Sequence, residues 1–574
     1  MNSKIVFFFM IMCCCSVTLF AQTNTGKKQT STNPVFDGWY ADPEGVVFGD
    51  KYWIYPTYSA PFEQQLYMDA FSSPDLVHWR KHPKVLSVEN ISWLRNALWA
   101  PAVIEANGKY YFYFGANNIY HESEVGGIGV AVADRPEGPF KDALGKPLIG
   151  KIVNGAQPID QFVFKDDDGQ YYMYYGGWGH CNMVKMGSDL ISIVPFEDGT
   201  TYKEVTPENY IEGPFMLKHN GKYYFQYGAP GTEFKVYADG VYVSDSPLGP
   251  FVYQKHNPMC YKPGGYVQGA GHGGTFCDVK GNYWHVATCM LSLKYKFERR
   301  IGLYPVAFDK DGVMYSSTAF GDYPNWAEPM DVKNPAERFT GWMLLSYGKP
   351  VEVSSTDSIH AASNLTDESM RTYWAARSGN PGEWAGIDLG STKNVRAVQL
   401  NFYDHKAVQY NRAMDIYHQY RIFASEDGKE WTLVIDKSDS DKDCPHDYIE
   451  LNEPLRARYL KYENVHMPTG NVALSGFRVF GNGDGDVPQA VKGLTVKRDR
   501  KDRRNALISW QPEASAYGYN IYYGTAEGKM YNAITVLGQT EYDFRGLDAD
   551  TDYYFTIEAL NENGRSPLCK TTKN

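Results

Sequence analysis

A short aromatic strand recurs five times in the first half of the chain, at residues 51–55 (KYWIY), 109–113 (KYYFY), 170–174 (QYYMY), 222–226 (KYYFQ) and 282–286 (NYWHV). A glycine lies two or three residues before the first aromatic ring of each copy, which is typical of a tight hairpin turn. Successive copies are roughly sixty residues apart, a length that holds about four short strands and shows no helical period.

A second motif repeats in step with the first, because residues 133–140 (ADRPEGPF) match residues 244–251 (SDSPLGPF). Four-stranded units repeated around an axis form a β-propeller. The sequence therefore predicts an all-β fold whose first domain, over residues 34–325, is a five-bladed β-propeller. The alternative is a β-sandwich rich in tyrosine hairpins, although a sandwich does not require five copies in phase.

The composition favours a folded protein that does not bind nucleic acid. The chain has 574 residues, of which 56 are Lys or Arg and 67 are Asp or Glu, so its net charge is −11. Nucleic-acid affinity depends largely on basic side chains that neutralise phosphates, and this balance argues against it. The sequence has no Walker loop, which argues against a nucleotide enzyme. Its 45 tyrosines suit contact with the faces of sugars.

Residues 1–21 have the pattern of a secretory signal peptide, so the protein is expected to be exported to the periplasm or the extracellular space. Lys4 provides the positive start, an apolar run follows, and Ala21 precedes a plausible cleavage point. That run is short for a membrane span, and no other stretch approaches it, so no span is predicted. The alternative is a surface lipoprotein modified within 13–15, although the preceding residues fit a lipobox poorly.

The six cysteines after the signal contain no CxxC pair, which argues against a zinc site and against a disulfide scaffold. The formation of one or two disulfide bonds is left open by the sequence.

One position in each repeat carries a polar or aromatic side chain. Counting back eleven residues from the first ring of the strand gives Trp99, Asp160, Glu212 and His272, and counting back ten in the first repeat gives Asp42. We expect these positions at the start of the innermost strand of each blade, beside the central axis. Three carboxylates gathered there repel one another, so burying them together indicates a functional site.

The segments around these positions resemble glycoside hydrolase family 43. The similarity rests on residues 40–43 (YADP), 158–162 (PIDQF) and 211–214 (IEGP), which carry the three acids, and on 99–101 (WAP) and 271–273 (GHG). It covers about 34–325, slightly over half the chain. One departure is Gln161, where the family often has proline, and this changes how the loop around Asp160 is held.

The resemblance implies an inverting glycosidase. It assigns Asp42 as the general base that activates water and Glu212 as the general acid. Asp160 would raise the pKa of Glu212 by like-charge repulsion and would orient it. For inversion, the carboxyl groups of Asp42 and Glu212 are expected roughly 6.5–9.5 Å apart, which leaves room for the water.

Four further residues are expected to contact the sugar. The resemblance implies an arginine near the end of the propeller, and strand alternation favours Arg299, with Arg300 close behind. Trp99 is expected to form a stacking wall, with a core tryptophan as the alternative. His272 is expected over the axis, where related enzymes often hold a calcium ion through water. No cofactor is required.

The second half of the chain predicts two further β domains. Residues 341–482 resemble a discoidin-type (coagulation factor 5/8 C-domain) jelly roll, as in carbohydrate-binding module family 32, through 361–367 (AASNLTD), 384–390 (WAGIDLG) and 420–428 (YRIFASEDG). Residues 487–574 resemble a fibronectin type III domain, an immunoglobulin-like β-sandwich, in which Trp510 fits the core and Tyr553 fits the tyrosine corner.

The expected partner is a carbohydrate polymer or oligosaccharide. Within the family the choices are α-L-arabinofuranosidase, β-xylosidase, endo-arabinanase and galactofuranosidase, of which we expect the first. The long insertion over 58–69 is expected to block one side of the pit and to favour terminal sugars. The alternatives are a retaining fructan-active hydrolase, whose Arg-Asp-Pro and Glu-Cys motifs are missing, and a non-catalytic carbohydrate-binding propeller.

Overall fold

A computed structural model describes residues 29–116, 125–232, 234–291, 295, 297–407 and 416–574. The chain forms three β domains in sequence, joined with a few short 3-10 helices. The predicted signal peptide at 1–21 lies outside the described residues. None of the helices in the described ranges has the length and apolar character needed to cross a membrane. The cysteines of those ranges, which include all six after the signal, are free thiols.

The first domain is the predicted five-bladed propeller, with the innermost strand first in each blade. Blade 1 contains β2 (Tyr40–Phe48), β3 (Lys51–Tyr58), β4 (Tyr67–Ser73) and β5 (Arg80–Ser87), and blade 2 contains β6 (Leu98–Ala106), β7 (Lys109–Ala116), β8 (Gly127–Ala133) and β9 (Lys141–Asp142). Blade 3 contains β10 (Phe162–Lys165), β11 (Tyr171–Tyr175), β12 (Asn182–Met186), β13 (Ile193–Val194) and β14 (Tyr202–Glu204). Blade 4 contains β15 (Glu212–His219), β16 (Lys222–Ala229), β17 (Ala238–Ser244) and β18 (Val252–Tyr253), and blade 5 contains β19 (Gln268–Cys277), β20 (Tyr283–Met290), β21 (Arg299–Phe308) and β22 (Met314–Ser316). The repeated aromatic strand is the second strand of every blade.

This second strand is aromatic on both faces because a neighbouring blade covers each face. In β7, Phe112 and Phe114 pack in a cluster shared with blade 1. The alternate side chains Tyr111 and Tyr113 pack in a cluster shared with blade 3. Since successive strand residues point to opposite faces, a strand between two blades needs large apolar groups at every position.

Short pieces at the ends of the propeller close the ring between blades 5 and 1. The two-residue strand β1 (Thr30–Ser31) pairs with β23 (Asn325–Trp326). Asn33 then bonds the backbone of Leu303 in both directions, donating to its carbonyl at 3.3 Å and accepting from its N–H at 2.9 Å. Blade 1 is built from contiguous chain, so these contacts and side-chain packing hold the ring closed.

The jelly roll forms one continuous sheet of eight strands around its own core, which includes Trp374 and Phe477. Its strands are β24 (Met343–Leu344), β25 (Val351–Val353), β26 (Trp374–Ala375), β27 (Trp384–Phe402), β28 (Gln419–Ser425), β29 (Thr432–Asp436), β30 (His446–His466) and β31 (Ala473–Asn482). The 3-10 helices are Phe62–Gln64, Val88–Asn90, Pro335–Arg338 and Ala362–Leu365.

A buried charge cluster joins the jelly roll to the propeller. Arg478 donates to Glu368 at 2.6 Å and to the backbone carbonyl of Asp322 at 2.8 Å. Lys262 of the propeller lies 3.2 Å from the Asp322 carboxylate. All four side chains are buried, and each buried charge has a partner of opposite sign, so the two domains are held in one arrangement.

The last domain is an immunoglobulin-like sandwich of two sheets. Its strands are β32 (Thr495–Arg498), β33 (Asn505–Ser509), β34 (Gly518–Gly524), β35 (Asn532–Leu537), β36 (Glu541–Arg545), β37 (Tyr554–Asn561), β38 (Gly564–Arg565) and β39 (Thr572–Lys573). Trp510 and Tyr553 belong to the core, as predicted. The Tyr553 hydroxyl accepts a hydrogen bond from the Asp548 N–H at 3.1 Å, which forms the tyrosine corner.

Candidate active site

In every blade an equivalent position near the start of the innermost strand has left-handed backbone. These residues are Asp42, Ala100, Asp160, Gly213 and His272, with φ of 48°, 42°, 54°, 65° and 46°. In blades 1, 2, 4 and 5 the ladder to the second strand shifts register at this point, which is a β-bulge. A bulge bends the strand and redirects a side chain, and here it does so at the same place in all four ladders.

The length of the first hairpin turn differs between blades, so counting back eleven residues from the aromatic strand does not reach equivalent positions in all of them. Blades 1, 2 and 4 have two-residue turns, such as 107–108 between Ala106 and Lys109. Blades 3 and 5 have one residue more, because Asp166 bonds Gln170 and Asp278 bonds Asn282 across three-residue turns. The uniform count of eleven is therefore off by one residue in blades 2 and 4.

Trp99 and Glu212 consequently lie one residue before the positions equivalent to Asp42, Asp160 and His272. Both are half-buried, whereas Asp42 is 9% exposed and Asp160 is 6% exposed. The general acid predicted from sequence thus lies nearer the opening of the pit than the other two carboxylates.

Each bulge is held by the blade before it. The Asp42 N–H donates to the Thr288 hydroxyl of blade 5 at 2.8 Å. The Ala100 N–H donates to the Thr57 hydroxyl of blade 1 at 2.7 Å. These bonds satisfy backbone donors that the bulge removes from the ladder, so closing the ring fixes the residues around the axis.

Asp42 lies in a cationic corner of the pit. The Arg299 guanidinium donates to both of its carboxylate oxygens, at 3.1 and 3.4 Å. Arg299 itself is 5% exposed and is fixed by the hydroxyls of Ser59 at 2.8 Å and Thr232 at 2.9 Å. The structure thus brings Arg299 to the predicted base through a fully buried pair of bonds.

His272 lies against the same carboxylate, with Nδ1 3.5 Å from an oxygen of Asp42. Burial lowers the pKa of His272, but the carboxylates of Asp160, Asp42, Glu212 and Asp239 together raise it above its ordinary value. A positively charged imidazole in this place offsets part of the repulsion between the acids.

A buried residue that the sequence analysis missed positions His272. Asp239 accepts from the backbone N–H groups of His272 and Gly273, at 2.8 and 3.0 Å. Its second oxygen also bonds His285 Nε2 at 2.7 Å. Asp239 is 1% exposed, so it acts inside the wall of the pit rather than on the substrate.

Asp160 lies deeper in the pit and next to the loop that carries Glu212. Burial raises its pKa to about 7; the His272 charge opposes this shift, whereas Glu212 and Asp42 add to it. The Gly213 N–H donates to the Asp160 carboxylate. Asp160 therefore bonds the residue directly after Glu212, which suits a role in orienting the acid.

Glu212 is held by a neutral donor. The buried Tyr237 hydroxyl donates to Oε1 of Glu212 at 2.7 Å. This bond leaves Oε2 for a proton. Tyr237 lies just before β17, away from every repeat motif, so the sequence carries no signal for it.

Trp99 is attached to the insertion of blade 1. Its indole N–H donates to the Gln65 side chain. The Phe62 ring packs edge-on at 6.3 Å between centroids. Gln161, the departure from the family pattern, donates to the Ala100 carbonyl at 2.6 Å and so links the loops of blades 2 and 3.

Arg300 is not brought into the pit. It is 3% exposed and its Nε donates to His446 Nε2 of the jelly roll at 2.9 Å. Its guanidinium also lies 5.8 Å from the Trp39 ring centre. The alternation of β21 therefore sends Arg299 to the axis and Arg300 to the domain interface, so the predicted sugar contact by Arg300 lacks geometric support.

The predicted calcium ion stays a prediction. Calcium prefers six to eight oxygen ligands. Within the described ranges, no group of three His, Cys, Asp or Glu side chains is arranged to bind a metal directly. His272 offers a nitrogen and Asp42 is occupied by Arg299, so the residues here do not form a direct calcium site.

Three family profiles match the chain in order. Glycosyl hydrolases family 43 matches residues 31–314, the F5/8 type C domain matches 350–476, and the fibronectin type III domain matches 488–573. These ranges follow the propeller, the jelly roll and the last sandwich.

Among similar proteins is the beta-D-galactofuranosidase xynD of Aspergillus niger, which is 45% identical over 245 residues, 41% of this chain and 68% of that protein. A beta-xylosidase of Xylanibacter ruminicola is 30% identical over 38% of this chain and 78% of its own length. The xylosidase/arabinosidase 43A of Humicola insolens is 29% identical over 47% of this chain and 94% of its own length.

The propeller, its three acidic motifs and these similarities agree. The chain belongs to glycosyl hydrolases family 43, enzymes that hydrolyse glycosidic bonds, and it carries an F5/8 type C domain and a fibronectin type III domain behind the catalytic propeller.

Proposed function

We propose that the protein is an exported, inverting exo-glycosidase that releases terminal β-D-galactofuranosyl residues from glycans. The observation that carries the choice of sugar is the 45% identity with a protein named as a beta-D-galactofuranosidase, against 30% or less for the two relatives named as xylosidases. This choice revises the preference for α-L-arabinofuranosidase in the sequence analysis.

An α-L-arabinofuranosidase is the second candidate. α-L-Arabinofuranose has the ring configuration of β-D-galactofuranose and lacks only the terminal hydroxymethyl group. A pit that binds one ring through its hydroxyl groups therefore accepts much of the other. The name of the Humicola insolens relative, which includes arabinosidase, supports this candidate.

The proposed chemistry uses the two sides of the pit. Asp42 takes a proton from a water molecule, whose oxygen attacks the anomeric carbon from the face opposite the leaving group. Glu212 gives its proton to the glycosidic oxygen as the bond from the anomeric carbon to that oxygen breaks. Asp160 and Tyr237 hold Glu212 in place, and Arg299 holds Asp42.

Action on terminal sugars is supported by the insertion in blade 1. Gln65 is fully buried, bonds the Ala60 carbonyl at 2.8 Å and accepts from Trp99. The backbone carbonyl of Gln65 also accepts hydrogen bonds from the backbone N–H groups of Ala97 and Leu98. This insertion is thus fixed against blade 2 beside Trp99. We infer that it blocks one side of the pit, which would favour the end of a glycan over its interior.

The test is a panel of 4-nitrophenyl glycosides of β-D-galactofuranose, α-L-arabinofuranose and β-D-xylopyranose, with kcat/KM measured on the full chain. We expect the galactofuranoside to be the best substrate, and proton NMR of the first product to show the inverted anomer. Turnover of the xyloside alone would assign a β-xylosidase, and release of internal fragments from arabinan would assign an endo-arabinanase. A retained anomer would overturn the mechanism, and binding without turnover would indicate a lectin.

A further inference from the structure

One turn at the mouth of the pit presents an exposed tryptophan. Residues 176–179 (GGWG) connect β11 to β12 in blade 3, on the face where the innermost strands begin. Trp178 in this turn is 60% exposed and has a left-handed backbone, with φ of 60°. Among the tryptophans of the described ranges, the others are buried or half-buried.

The turn is fixed to both acid-bearing loops. The Gly176 N–H donates to the carbonyl of Ile159, the residue before Asp160, at 3.0 Å. The Gly179 N–H donates to the carbonyl of Ile211, the residue before Glu212, at 3.1 Å. Trp178 is therefore held between the strand starts that carry the second and third acids.

A third bond comes from the segment that leads into Glu212. The buried Tyr210 hydroxyl donates to the Gly176 carbonyl at 2.6 Å. A Cβ on Gly176 would lie 2.1 Å from the His180 carbonyl oxygen, so this part of the turn requires glycine. The turn is thus a fixed structure, tied on three sides, rather than a loose loop.

Two features of Trp178 point to a role other than core packing. A left-handed backbone is unfavourable for a bulky residue, and such strain tends to be kept where it serves a function. The ring has most of its surface in water and therefore adds little to the core. The strained backbone together with the exposed ring therefore points to a functional contact of Trp178.

The chemistry of the pit says what meets this ring. A general acid must lie within hydrogen-bond reach of the oxygen that leaves, so the sugar attached to that oxygen lies on the Glu212 side of the opening. Glycan rings have apolar C–H faces, and indole is a large, flat surface with little conformational entropy to lose. Ile211, also exposed, adds apolar surface beside the same strand start.

We propose that Trp178 is the stacking platform for the leaving-group sugar, the part of the glycan that remains after the terminal sugar has been removed. This inference rests on the proposed function, since it takes Glu212 as the acid. It makes Trp178 a specificity residue for the rest of the glycan, whereas Asp42, His272 and Arg299 surround the terminal sugar.

The test compares two substrates with the same terminal sugar in the full chain. One is a galactofuranosyl disaccharide, whose leaving group is a sugar; the other is galactofuranosyl fluoride, whose leaving group has no ring and needs little protonation. For Trp178→Ala we expect kcat/KM on the disaccharide to fall about tenfold or more, while kcat/KM on the fluoride stays within about twofold. Trp178→Phe, which keeps a flat ring, should recover most of the loss.

The control is Ile359→Ala, an exposed apolar residue of the jelly roll that is 78% exposed, and both substrates should be unaffected by it. Equal losses on both substrates for Trp178→Ala would mean that the turn only supports the acid loops, and no loss on either would mean that the ring contacts nothing; each result overturns the inference. If the unmodified protein prefers arabinofuranosides, the proposed sugar is wrong, and the same pair of arabinofuranosyl substrates tests the platform.

Discussion

The two sides of the pit hold carboxylates in opposite ways. On the side of blades 1 and 5, Asp42 is bonded through both oxygens by the buried Arg299 and lies beside His272. On the side of blades 3 and 4, Glu212 accepts a hydrogen bond from the Tyr237 hydroxyl, and Asp160 accepts one from the backbone N–H of Gly213. One side thus uses cationic donors, and the other uses neutral ones.

The proposed mechanism gives these two sides different jobs. The proposed base must take a proton from water, and the cationic groups around Asp42 hold its carboxylate in place. An acid needs to carry a proton, and a neutral donor on one oxygen leaves the other oxygen available for it. The chain therefore separates two chemically similar side chains by what surrounds them.

The largest expected effect comes from removing the acid or the base. Glu212→Gln should lower kcat/KM on a natural glycoside by about 10³-fold, because no proton reaches the leaving oxygen. The same variant should keep most of its activity on a glycosyl fluoride, whose leaving group needs little protonation. Asp42→Asn should lose activity on both, since attack by water is required in either case. Steady-state kinetics on the two substrates measure this contrast.

Circular dichroism serves as the control, because both amide variants are expected to fold. If Glu212→Gln and Asp42→Asn lost activity on the fluoride to the same extent, the division into an acid side and a base side would be wrong.

The neighbouring arginines give the next effect. Arg299→Met removes both bonds to Asp42 and leaves a buried carboxylate with fewer partners, so kcat/KM should fall by about 10²-fold. Arg300→Met should leave kcat/KM within about threefold, because the side-chain partners of Arg300 include His446 and Glu298 but none of the three acids. It should instead lower the Tm by a few degrees.

Kinetics and thermal unfolding of the two arginine variants should therefore show opposite patterns. A loss of activity in Arg300→Met as large as that in Arg299→Met would return Arg300 to the sugar-binding residues.

The smallest expected effect is a change in how stability depends on pH. Because the pKa of Asp160 is raised to about 7 in the folded state, the folded protein keeps a proton that the unfolded chain has released, and stability is lost as the pH rises from about 4 to 7. Asp160→Asn removes this loss. The Tm of the variant minus that of the unmodified protein should therefore be larger at pH 8 than at pH 4, by several degrees.

The matched control is Asp50→Asn, which removes an exposed carboxyl in the first turn of blade 1, and the change of Tm with pH in Asp160→Asn is compared with that in this variant. A difference for Asp160→Asn that is equal at the two pH values would show that the carboxyl is charged in the folded state throughout this range.

The repeat made the propeller predictable from the sequence. The aromatic strand is the second strand of each blade, and it is recognisable because both of its faces are covered, as Tyr113 and Phe114 illustrate. Asp42, Asp160 and His272 were found because a left-handed backbone position recurs at a nearly constant distance from that strand. Periodicity therefore places Asp42 and Asp160, whereas Glu212 lies one residue before the equivalent position, which Gly213 occupies.

The remaining features depend on lengths and directions that the sequence pattern does not resolve. Blades 3 and 5 have one more residue in their first hairpin turn than blades 2 and 4. A single count of eleven residues therefore reaches Trp99 and Glu212, each one residue before the equivalent position. The adjacent residues Arg299 and Arg300 point to opposite faces of β21. The contact of Arg300 with His446 is known only once the jelly roll is packed against the propeller. Tyr237 reaches Glu212 from the segment just before β17, which carries no repeat signal.

The left-handed backbone position shared by the five blades, which lies in a bulge in four of them, has a consequence for how this fold acquires new chemistry. Aspartate, alanine, glycine and histidine all occupy it, so the backbone geometry tolerates side chains of different size and charge. The bonds that hold the bulge come from the backbone N–H and from the preceding blade, not from the side chain that faces the axis. Reactivity at the centre of the ring can thus be exchanged one blade at a time while the architecture around it persists.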